Sequence, residues 1–200
     1  VDRPGCPSPV QVWSDSPVDA KSIEADLVRV LCTEEQIQER LAELAQEVWE
    51  HYEGEDLLLV GVLKGAVMVM ADFMRHLPGS APMDWMAVSS YGSGTKSSGV
   101  VRILKDLDTD LHGRHVLIVE DIIDSGLTLS WLLENLKSRG AASVEIFALL
   151  RKPAAAKVQV DVKYVGYEIP NDFVVGYGLD FDEKYRNLRG VGVLAPHVYS

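Results

Sequence analysis

Two apolar runs constrain the fold of this chain more than any other feature of its sequence. They lie within DLLLVGVL (56–63) and HVLIVE (115–120), and each has the length of a single β-strand. A strand without a polar face must be covered on both sides, as the strands of parallel sheets are. The chain therefore needs helices on both faces of the sheet that contains these two strands.

Helical segments alternate with the strand-like runs. A helix with a capping box is predicted at residues 33–52, because Thr33 stands at the N-cap position and Gln36 follows three residues later. Two more helices are predicted at 65–77 and 127–140. The other predicted strands are ADLVRVLC, MDWMAVSSY, VVRILKDL, ASVEIFALL and VDVKYVGYEI, followed by FVVGYGLDFDEKYRNLRGVGVL, which mixes short strands with glycine turns. This alternation predicts an α/β fold with a central, mostly parallel sheet and flanking helices.

The length of the chain bounds its domain organisation. With 200 residues a single domain is favoured, and we expect it at residues 23–200. Residues 1–22 are rich in proline, serine and aspartate and are expected to form a flexible N-terminal tail. The sequence contains no run of about 18 apolar residues, so no membrane span is predicted.

Charge and cysteine content limit the partners and the compartment. The formal net charge of -11 argues against general nucleic-acid binding, which relies on basic surface. Cys6 and Cys32 have a spacing that fits neither a metal motif nor a disulfide framework. A reducing, cytoplasmic setting is therefore expected.

The stretch VLIVEDIIDSGLT (116–128) carries the strongest chemical signal. The strand HVLIVE is predicted to end at Glu120 and Asp121. In open parallel sheets, ligands bind beyond the carboxyl ends of the strands. Carboxylates rarely end a buried strand without a partner, so these two acids predict a ligand site.

The turn DSGLT (124–128) leads from this strand into the next predicted helix. Exposed amides at a helix N-terminus bind anions, and Ser125 and Thr128 add hydroxyl donors. Gly126 allows a close backbone approach, so the turn can be a phosphate site. Plain helix capping is the alternative, because Asp and Ser are among the favoured N-cap residues.

Several other ligand motifs are excluded. The P-loop pattern does not occur, and the glycines of YGSGTKSSG (91–99) are not followed by a helix, as a Rossmann fingerprint requires. No cluster of histidines or cysteines suggests zinc. His112 and His115 are predicted to be turn or surface residues.

The stretch VEDIIDSGLT resembles the phosphoribosyl pyrophosphate motif of the type I phosphoribosyltransferases, in which a hydrophobic strand leads into two acids and a small-residue loop. The residues of this stretch are most similar to those of members that act on hypoxanthine and guanine. Four further stretches resemble that group in the same order, namely VGVLKGA, SSYGSG, LLRKP and GYEIPNDFVVGYGLDFDEKYRNL. The resemblance runs from Ala25 to the C-terminus and implies the fold of this family, including a small hood formed from N- and C-terminal segments.

The resemblance also implies a reaction. N9 of a 6-oxopurine would displace pyrophosphate from C1 of the ribose of phosphoribosyl pyrophosphate, with Mg2+ as the cofactor. Hypoxanthine would give IMP and guanine would give GMP, which is purine salvage. The implied assembly is a homodimer or a homotetramer, with neither nucleic acid nor membrane as a partner.

Within the motif, the resemblance implies a role for each polar residue. Glu120 and Asp121 would engage the ribose hydroxyls and the magnesium region, and Asp124 would be the catalytic base or acid near purine N7. The 5-phosphate would bind the loop of Ser125, Gly126, Leu127 and Thr128. Human-type members have lysine where this chain has Leu127, so the loop carries one cation fewer.

Three residues correspond to the pyrophosphate site, namely Lys64, Gly65 and Arg186. The family holds the peptide bond before this lysine in the cis form, which here is Leu63–Lys64. From the residues alone, the KG pair would be an ordinary turn and 180–186 a charged surface run.

Five residues correspond to the purine site, namely Ile122, Lys152, Phe173, Val174 and Asp180. Lys152 would donate to the 6-oxygen, Phe173 would stack on the base, and Val174 would make backbone contacts. Asp180 would lie near the base and a second magnesium ion, and is counted with Glu120 and Asp121 as a metal-site residue. The alternatives are a solvated Lys152 and a Phe173 buried in the core.

Ser90 and Tyr91 correspond to a mobile lid over the site. The following GSGTKSS is small, polar and too long for a tight turn, which independently favours a lid. An inert linker is the alternative.

Two other functions stay open for a chain with this motif. Some proteins that carry it are regulators that bind RNA or DNA, and others are related synthases or pyrimidine transferases. Lys152 and NDFVVGYGLD favour a purine, but only through the resemblance. Asp172 replaces a lysine of human-type members, so the preference among hypoxanthine, guanine and xanthine is open.

Overall fold

The computed structural model describes residues 24–90 and 101–199. The predicted tail at 1–22 and the lid residue Tyr91 lie outside these residues. The elements in chain order are β1 (Leu27–Cys32), α1 (Glu34–His51), β2 (Leu57–Leu63), α2 (Val67–His76), β3 (Met83–Ser90), β4 (Val101–Lys105), β5 (His115–Ile123), α3 (Leu127–Lys137), β6 (Ser143–Arg151), β7 (Tyr164–Glu168), β8 (Val174–Val175), β9 (Val191–Leu194) and α4 (Pro196–Tyr199).

A six-stranded sheet lies at the centre, with the strand order β4-β3-β2-β5-β6-β7. Neighbouring strands from β3 to β7 pair in parallel, and only the edge strand β4 pairs antiparallel, with β3. This confirms the predicted mostly parallel sheet. The carboxyl ends of β2, β3, β5 and β6 consequently meet at one edge of the sheet, where ligands are expected.

Both faces of the sheet are covered by helices. On one face, α1 and α2 pack against alternate residues of β2 and β5, and the rings of Phe73 and Phe147 lie 4.6 Å apart. On the other face, Leu129, Leu132 and Leu136 of α3 pack against the intervening residues. Each fully buried aliphatic or aromatic side chain contributes about 1.5–3 kcal/mol, so the apolar runs stabilise the sheet from both sides.

The start of α1 follows the sequence signal closely. The Thr33 hydroxyl accepts from the Gln36 amide at 3.3 Å, and the Thr33 amide donates to the Gln36 side chain at 2.9 Å. This confirms the capping box, which satisfies two amides at the helix start.

A second, three-stranded sheet has the order β1-β9-β8 and is antiparallel. It joins a segment near the start of the described chain to two segments near its end, as the implied hood required. Among residues 24–90 and 101–199, no helix combines the length and the apolar character needed to cross a membrane.

The predicted end of the central strand was wrong. β5 continues to Ile123, because Ile122 and Ile123 still pair with Leu150 and Arg151 of β6. Glu120 and Asp121 therefore lie inside the strand, near its carboxyl end. His115 is the first residue of β5 and is partly exposed, so its assignment to a turn was wrong, whereas His112 lies exposed in the turn before β5 as predicted.

Candidate active site

Glu120 and Asp121 are buried acids of β5, with exposures of 8% and 9%. Burial and the adjacent negative charge of Asp121 raise the pKa of Glu120 well above its ordinary value. Burial raises the pKa of Asp121 to about 6, although hydrogen bonds such as the Ile122 amide at 2.7 Å oppose the shift. Acids perturbed in this way mark a site that a cation or a hydroxyl-bearing ligand would stabilise.

The turn after β2 lies directly against Asp121. A Cβ atom at Gly65 would lie 1.9 Å from Oδ2 of Asp121, so any larger residue here would have to displace this carboxylate. The Leu63–Lys64 peptide bond is cis, as expected. The Lys64 ammonium lies 3.0 Å from a carboxylate oxygen of Glu183, and both side chains are exposed.

A third segment, residues 176–186, reaches the same place. A Cβ atom at Gly178 would lie 2.1 Å from the carbonyl oxygen of Gly65. Arg186 donates to the Gly178 carbonyl at 2.7 Å and pairs with Asp180 at 2.9 Å. Its charge also lowers the pKa of Asp121, against the larger effect of burial. The structure thus brings Gly65, Asp121 and Arg186 together.

The DSGLT turn is built around Gly126, which has φ +78° and is the N-cap of α3. A Cβ atom there would lie 2.7 Å from the Val158 carbonyl oxygen. The Ser125 carbonyl accepts from the amides of Lys157 and Val158 at 3.0 and 3.2 Å. These two bonds fix the turn to the segment that precedes β7. Within residues 24–90 and 101–199 the N-cap makes no side-chain bond, and the capping alternative is limited to one long contact, from the Leu127 amide to the Ser125 hydroxyl at 3.5 Å.

The amides of this turn stay available to a ligand. Within the described part of the chain, those of Gly126 and Thr128 donate to no acceptor, and the Leu127 amide reaches only the Ser125 hydroxyl, at 3.5 Å. Amides aimed outward at the start of an α-helix form an anion site.

Lys152 is a buried cation at the end of β6, with an exposure of 8%. Its amide donates to the Ile123 carbonyl at 2.9 Å, which places it beside the end of β5. Its ammonium lies 3.9 Å from Asp124 and makes no hydrogen bond to a described residue. Because Lys152 also lines a cleft, its ammonium is available to donate to a ligand. The alternative of a solvated lysine is wrong.

A cleft of about 530 Å³ opens beside Asp124 and Lys152. Its remaining wall is formed by Ile123, Arg151, Pro153 and residues 156 and 158–162. The volume lies within the range of about 300–1,000 Å³ that is usual for small-molecule sites.

Val174 begins β8 of the smaller sheet, and Phe173 directly precedes it. Phe173 is 39% exposed, so its assignment to the core is wrong, whereas Val174 is buried in β8. Within the described residues, neither Phe173 nor Val174 forms a hydrogen bond with Asp121, Asp124 or their neighbours. Ile122 is partly buried against the main core. Ser90 ends β3 at the carboxyl edge of the sheet.

Some contacts of the site could not be found from the sequence. Lys64 and Glu183 are 119 positions apart, and Arg29 pairs with Asp172 at 2.5 Å across 143 positions. Val158 supports the DSGLT turn through its backbone, which no side-chain pattern reveals. Only the three-dimensional fold brings such partners together.

Replacing Asp121 by asparagine is expected to stabilise the ligand-free protein above about pH 6. A raised pKa means that ionisation of Asp121 opposes folding, so stability falls as the pH rises from 3.8 to about 6. Asparagine removes this penalty of about 2–4 kcal/mol and keeps the acceptor for the Ile122 amide.

Urea unfolding at about pH 4 and about pH 8 measures this effect. Asp110→Asn is the matched control, since Asp110 is exposed and its carboxylate also accepts a backbone amide, that of His112. An Asp121→Asn variant that is no more stable than the wild type at the higher pH would contradict the burial argument.

Comparison with known proteins identifies the family of the chain. The family of the phosphoribosyl transferase domain matches residues 33–182. Hypoxanthine-guanine phosphoribosyltransferase of Mycobacterium tuberculosis is 56% identical over 186 residues, covering 90% of this chain and 92% of the relative. The enzyme of the same name from Bacillus subtilis is 52% identical and covers 87% of this chain and 97% of the relative.

A solved structure agrees with the sequence relatives. The crystal structure of a hypoxanthine phosphoribosyltransferase from Staphylococcus aureus superposes with a TM-score of 0.87 and 46% identity, covering 90% of this chain and 97% of that one. Sequence, fold and the geometry at the end of β5 lead to one family. The chain belongs to the phosphoribosyltransferases, in their hypoxanthine-guanine group.

Proposed function

We propose that this chain transfers the phosphoribosyl group of phosphoribosyl pyrophosphate to N9 of hypoxanthine or guanine. The products are IMP or GMP and pyrophosphate, and the process is purine salvage. The observation that carries the proposal is the end of β5, where two buried acids are followed by a turn whose Gly126 and Thr128 amides have no acceptor among the described residues.

The 5-phosphate binds the DSGLT turn. The amides of Gly126, Leu127 and Thr128 donate to its oxygens, together with the hydroxyls of Ser125 and Thr128. Because position 127 carries no cation, the amides and the positive end of the α3 dipole hold the charge.

The ribose and the pyrophosphate lie between β2 and β5. Glu120 and Asp121 accept hydrogen bonds from the ribose hydroxyls. Lys64, the backbone at Gly65, and Arg186 face the pyrophosphate and stabilise the charge that develops as it leaves. The pairs Lys64–Glu183 and Arg186–Asp180 keep these cations at the site before the substrate arrives.

The acids at the site fit a magnesium ion. Glu120 and Asp121 are buried and adjacent, and Asp180 interacts electrostatically with Asp121. No cluster of three or more His, Cys, Asp or Glu side chains arranged to hold a metal occurs in residues 24–90 and 101–199. Magnesium suits such a site because it takes few protein carboxylates and completes its shell with substrate oxygens and water. When bound, it neutralises charge on the pyrophosphate.

The purine lies beside Asp124 and Lys152. The Lys152 ammonium donates to the 6-oxygen, which selects keto purines over adenine, whose 6-amino group is itself a donor. Phe173 stacks on the base, Ile122 and Val174 contact its edges, and Asp180 borders it. This arrangement holds N9 in line with C1 of the ribose.

Asp124 acts as the general base that accepts the N7 proton of the purine. As the N9 lone pair forms the bond to C1, the bond from C1 to the pyrophosphate oxygen breaks, and the electron pair leaves with pyrophosphate. The purine gives up its N7 proton to the Asp124 carboxylate. Asp124 is suited to this exchange because its side chain is 60% exposed and lies 3.9 Å from the Lys152 ammonium.

Three further assignments belong to the proposal. Ser90 and Tyr91 begin a lid that excludes water during transfer. The enzyme forms a homodimer or homotetramer, which the exposed Val67 and Met68 beside the site support. A cytoplasmic location is supported by cysteines whose spacing gives no disulfide framework.

Gly126→Ala tests the phosphate site, with Gly113→Ala as the matched control. Both glycines have positive φ, +78° and +74°, but only at Gly126 would the added Cβ meet another atom within 4 Å. The Gly126 variant must move its turn, so we expect the Kd for phosphoribosyl pyrophosphate to rise roughly tenfold or more, as for the loss of one hydrogen bond to a charged group.

Isothermal titration with phosphoribosyl pyrophosphate in the presence of Mg2+ measures the two affinities. The Gly113 variant should bind like the wild type. Equal affinities for both variants would remove the DSGLT turn from the binding site.

A further inference from the structure

An aromatic cluster lies at the edge of the smaller sheet and consists of Phe173, Phe181 and Tyr199. The rings of Phe173 and Tyr199 stack with their centroids 5.0 Å apart and their planes at 24°. Phe181 meets Phe173 edge to face, at 5.7 Å and 88°. Tyr199 is the last residue of α4. Its stack on Phe173 therefore brings α4 to the residue proposed above to contact the purine.

The cluster is unusually open for a group of aromatic rings. Phe173 and Tyr199 are 39% and 41% exposed, whereas Phe181 is partly buried against a small core that contains Val175, Leu188 and Leu194. Phe181 thus anchors the cluster, and Phe173 and Tyr199 project from it. A large exposed ring that is held in a fixed plane offers a surface to a flat ligand.

The backbone alone does not fix the plane of Phe173. Its carbonyl accepts from the Leu194 amide at 2.8 Å, which holds the main chain but leaves the side-chain torsions free. The ring is therefore positioned by its contacts with Phe181 and Tyr199. Tyr199 is itself held by α4, which follows the bond from the Ala195 amide to the Asp26 carbonyl at 2.7 Å.

We infer that Tyr199 is a positioning residue for the purine: it covers one face of Phe173 and fixes the opposite face for the base. The inference rests on the proposed function, because it requires that Phe173 stacks on the purine. The Tyr199 hydroxyl makes no hydrogen bond within the described part of the chain, so the ring face alone is needed. Phenylalanine should therefore replace it.

Steady-state kinetics of Tyr199→Ala and Tyr199→Phe in the full chain test the inference. With hypoxanthine varied at saturating phosphoribosyl pyrophosphate, Tyr199→Ala should raise the KM for hypoxanthine about 3–10-fold, as expected for one aromatic pair. The kcat and the KM for phosphoribosyl pyrophosphate should stay unchanged. Tyr199→Phe should behave like the wild type.

Three results would overturn the inference. An unchanged KM for hypoxanthine in Tyr199→Ala would deny Tyr199 any role. A lower KM would mean that Tyr199 covers the face that the purine needs. Equal losses with both substrates would show general damage to the fold instead of a change at the purine site.

Phe173→Ala, measured in parallel, separates this inference from the proposed function. If it leaves the KM for hypoxanthine unchanged, the stacking role of Phe173 fails, and the inference fails with it. If it raises that KM while Tyr199→Ala does not, only the inference fails. The double variant should lose no more affinity than Phe173→Ala, because Tyr199 acts through Phe173.

Discussion

Replacing Asp124 by asparagine is expected to reduce kcat about 10²–10⁴-fold, the range that general acid–base catalysis contributes. Asparagine keeps the shape of the side chain but cannot accept the purine proton. The Asp124 side chain is 60% exposed and lies 3.9 Å from the Lys152 ammonium, so the substitution should leave the DSGLT turn in place. Binding of phosphoribosyl pyrophosphate should therefore change little.

Steady-state kinetics with hypoxanthine, together with titration of phosphoribosyl pyrophosphate, measure the two effects separately. Asp110→Asn, at an exposed position before β5, is the control for the chemical change. A kcat for Asp124→Asn that is close to that of the wild type would remove Asp124 from the chemistry.

Replacing Lys152 by methionine is expected to reduce kcat/KM for hypoxanthine roughly 10²–10³-fold, the usual effect of losing one preorganised donor. The Lys152 residue is largely buried and lines the cleft, and its ammonium makes no hydrogen bond to a described residue, so a ligand atom is its natural acceptor. Methionine fills a similar volume without a charge. The stability of the protein should change little, because no hydrogen bond to a described residue is lost and the 3.9 Å pair with the exposed Asp124 carboxylate contributes little.

Kinetics with hypoxanthine and with adenine, and thermal unfolding, measure this outcome. Lys137→Met is the matched control, since Lys137 lies exposed in the last turn of α3. A large loss of stability with unchanged kcat/KM would make Lys152 a structural residue instead of a purine donor. Discrimination against adenine should weaken in the Lys152 variant alone.

The layered fold follows from local patterns in the sequence. The capping box at Thr33 and Gln36 predicted a helix at 33–52, and α1 spans Glu34–His51. DLLLVGVL predicted a strand covered on both faces, and β2 has that environment. These signals are reliable because each depends on residues that are close together in the sequence.

Boundaries and distant contacts were harder to predict. The central strand was predicted to end at Glu120 and Asp121, but cross-strand pairing with β6 continues to Ile123. The strand predicted within VDVKYVGYEI is limited to Tyr164–Glu168. Strand ends depend on neighbouring strands, which a single sequence does not identify.

The candidate site was only partly accessible from the sequence. The acids and the small loop stand together in one stretch, so their role could be inferred from spacing and resemblance. The sequence left plain capping open as an alternative for this turn, and the N-cap of α3 is Gly126, which has no side chain to cap the helix. The stack of Tyr199 on Phe173 joins residues 26 positions apart through the fold of the smaller sheet.

The most direct test is an activity panel with hypoxanthine, guanine, xanthine and adenine. Each base is incubated with the purified protein, phosphoribosyl pyrophosphate and Mg2+, with a parallel series in chelator, and nucleotide and pyrophosphate are both quantified. We expect IMP from hypoxanthine and GMP from guanine, one pyrophosphate for each nucleotide, no product from adenine, and no reaction without Mg2+. The absence of IMP and GMP in the presence of Mg2+ would contradict the account.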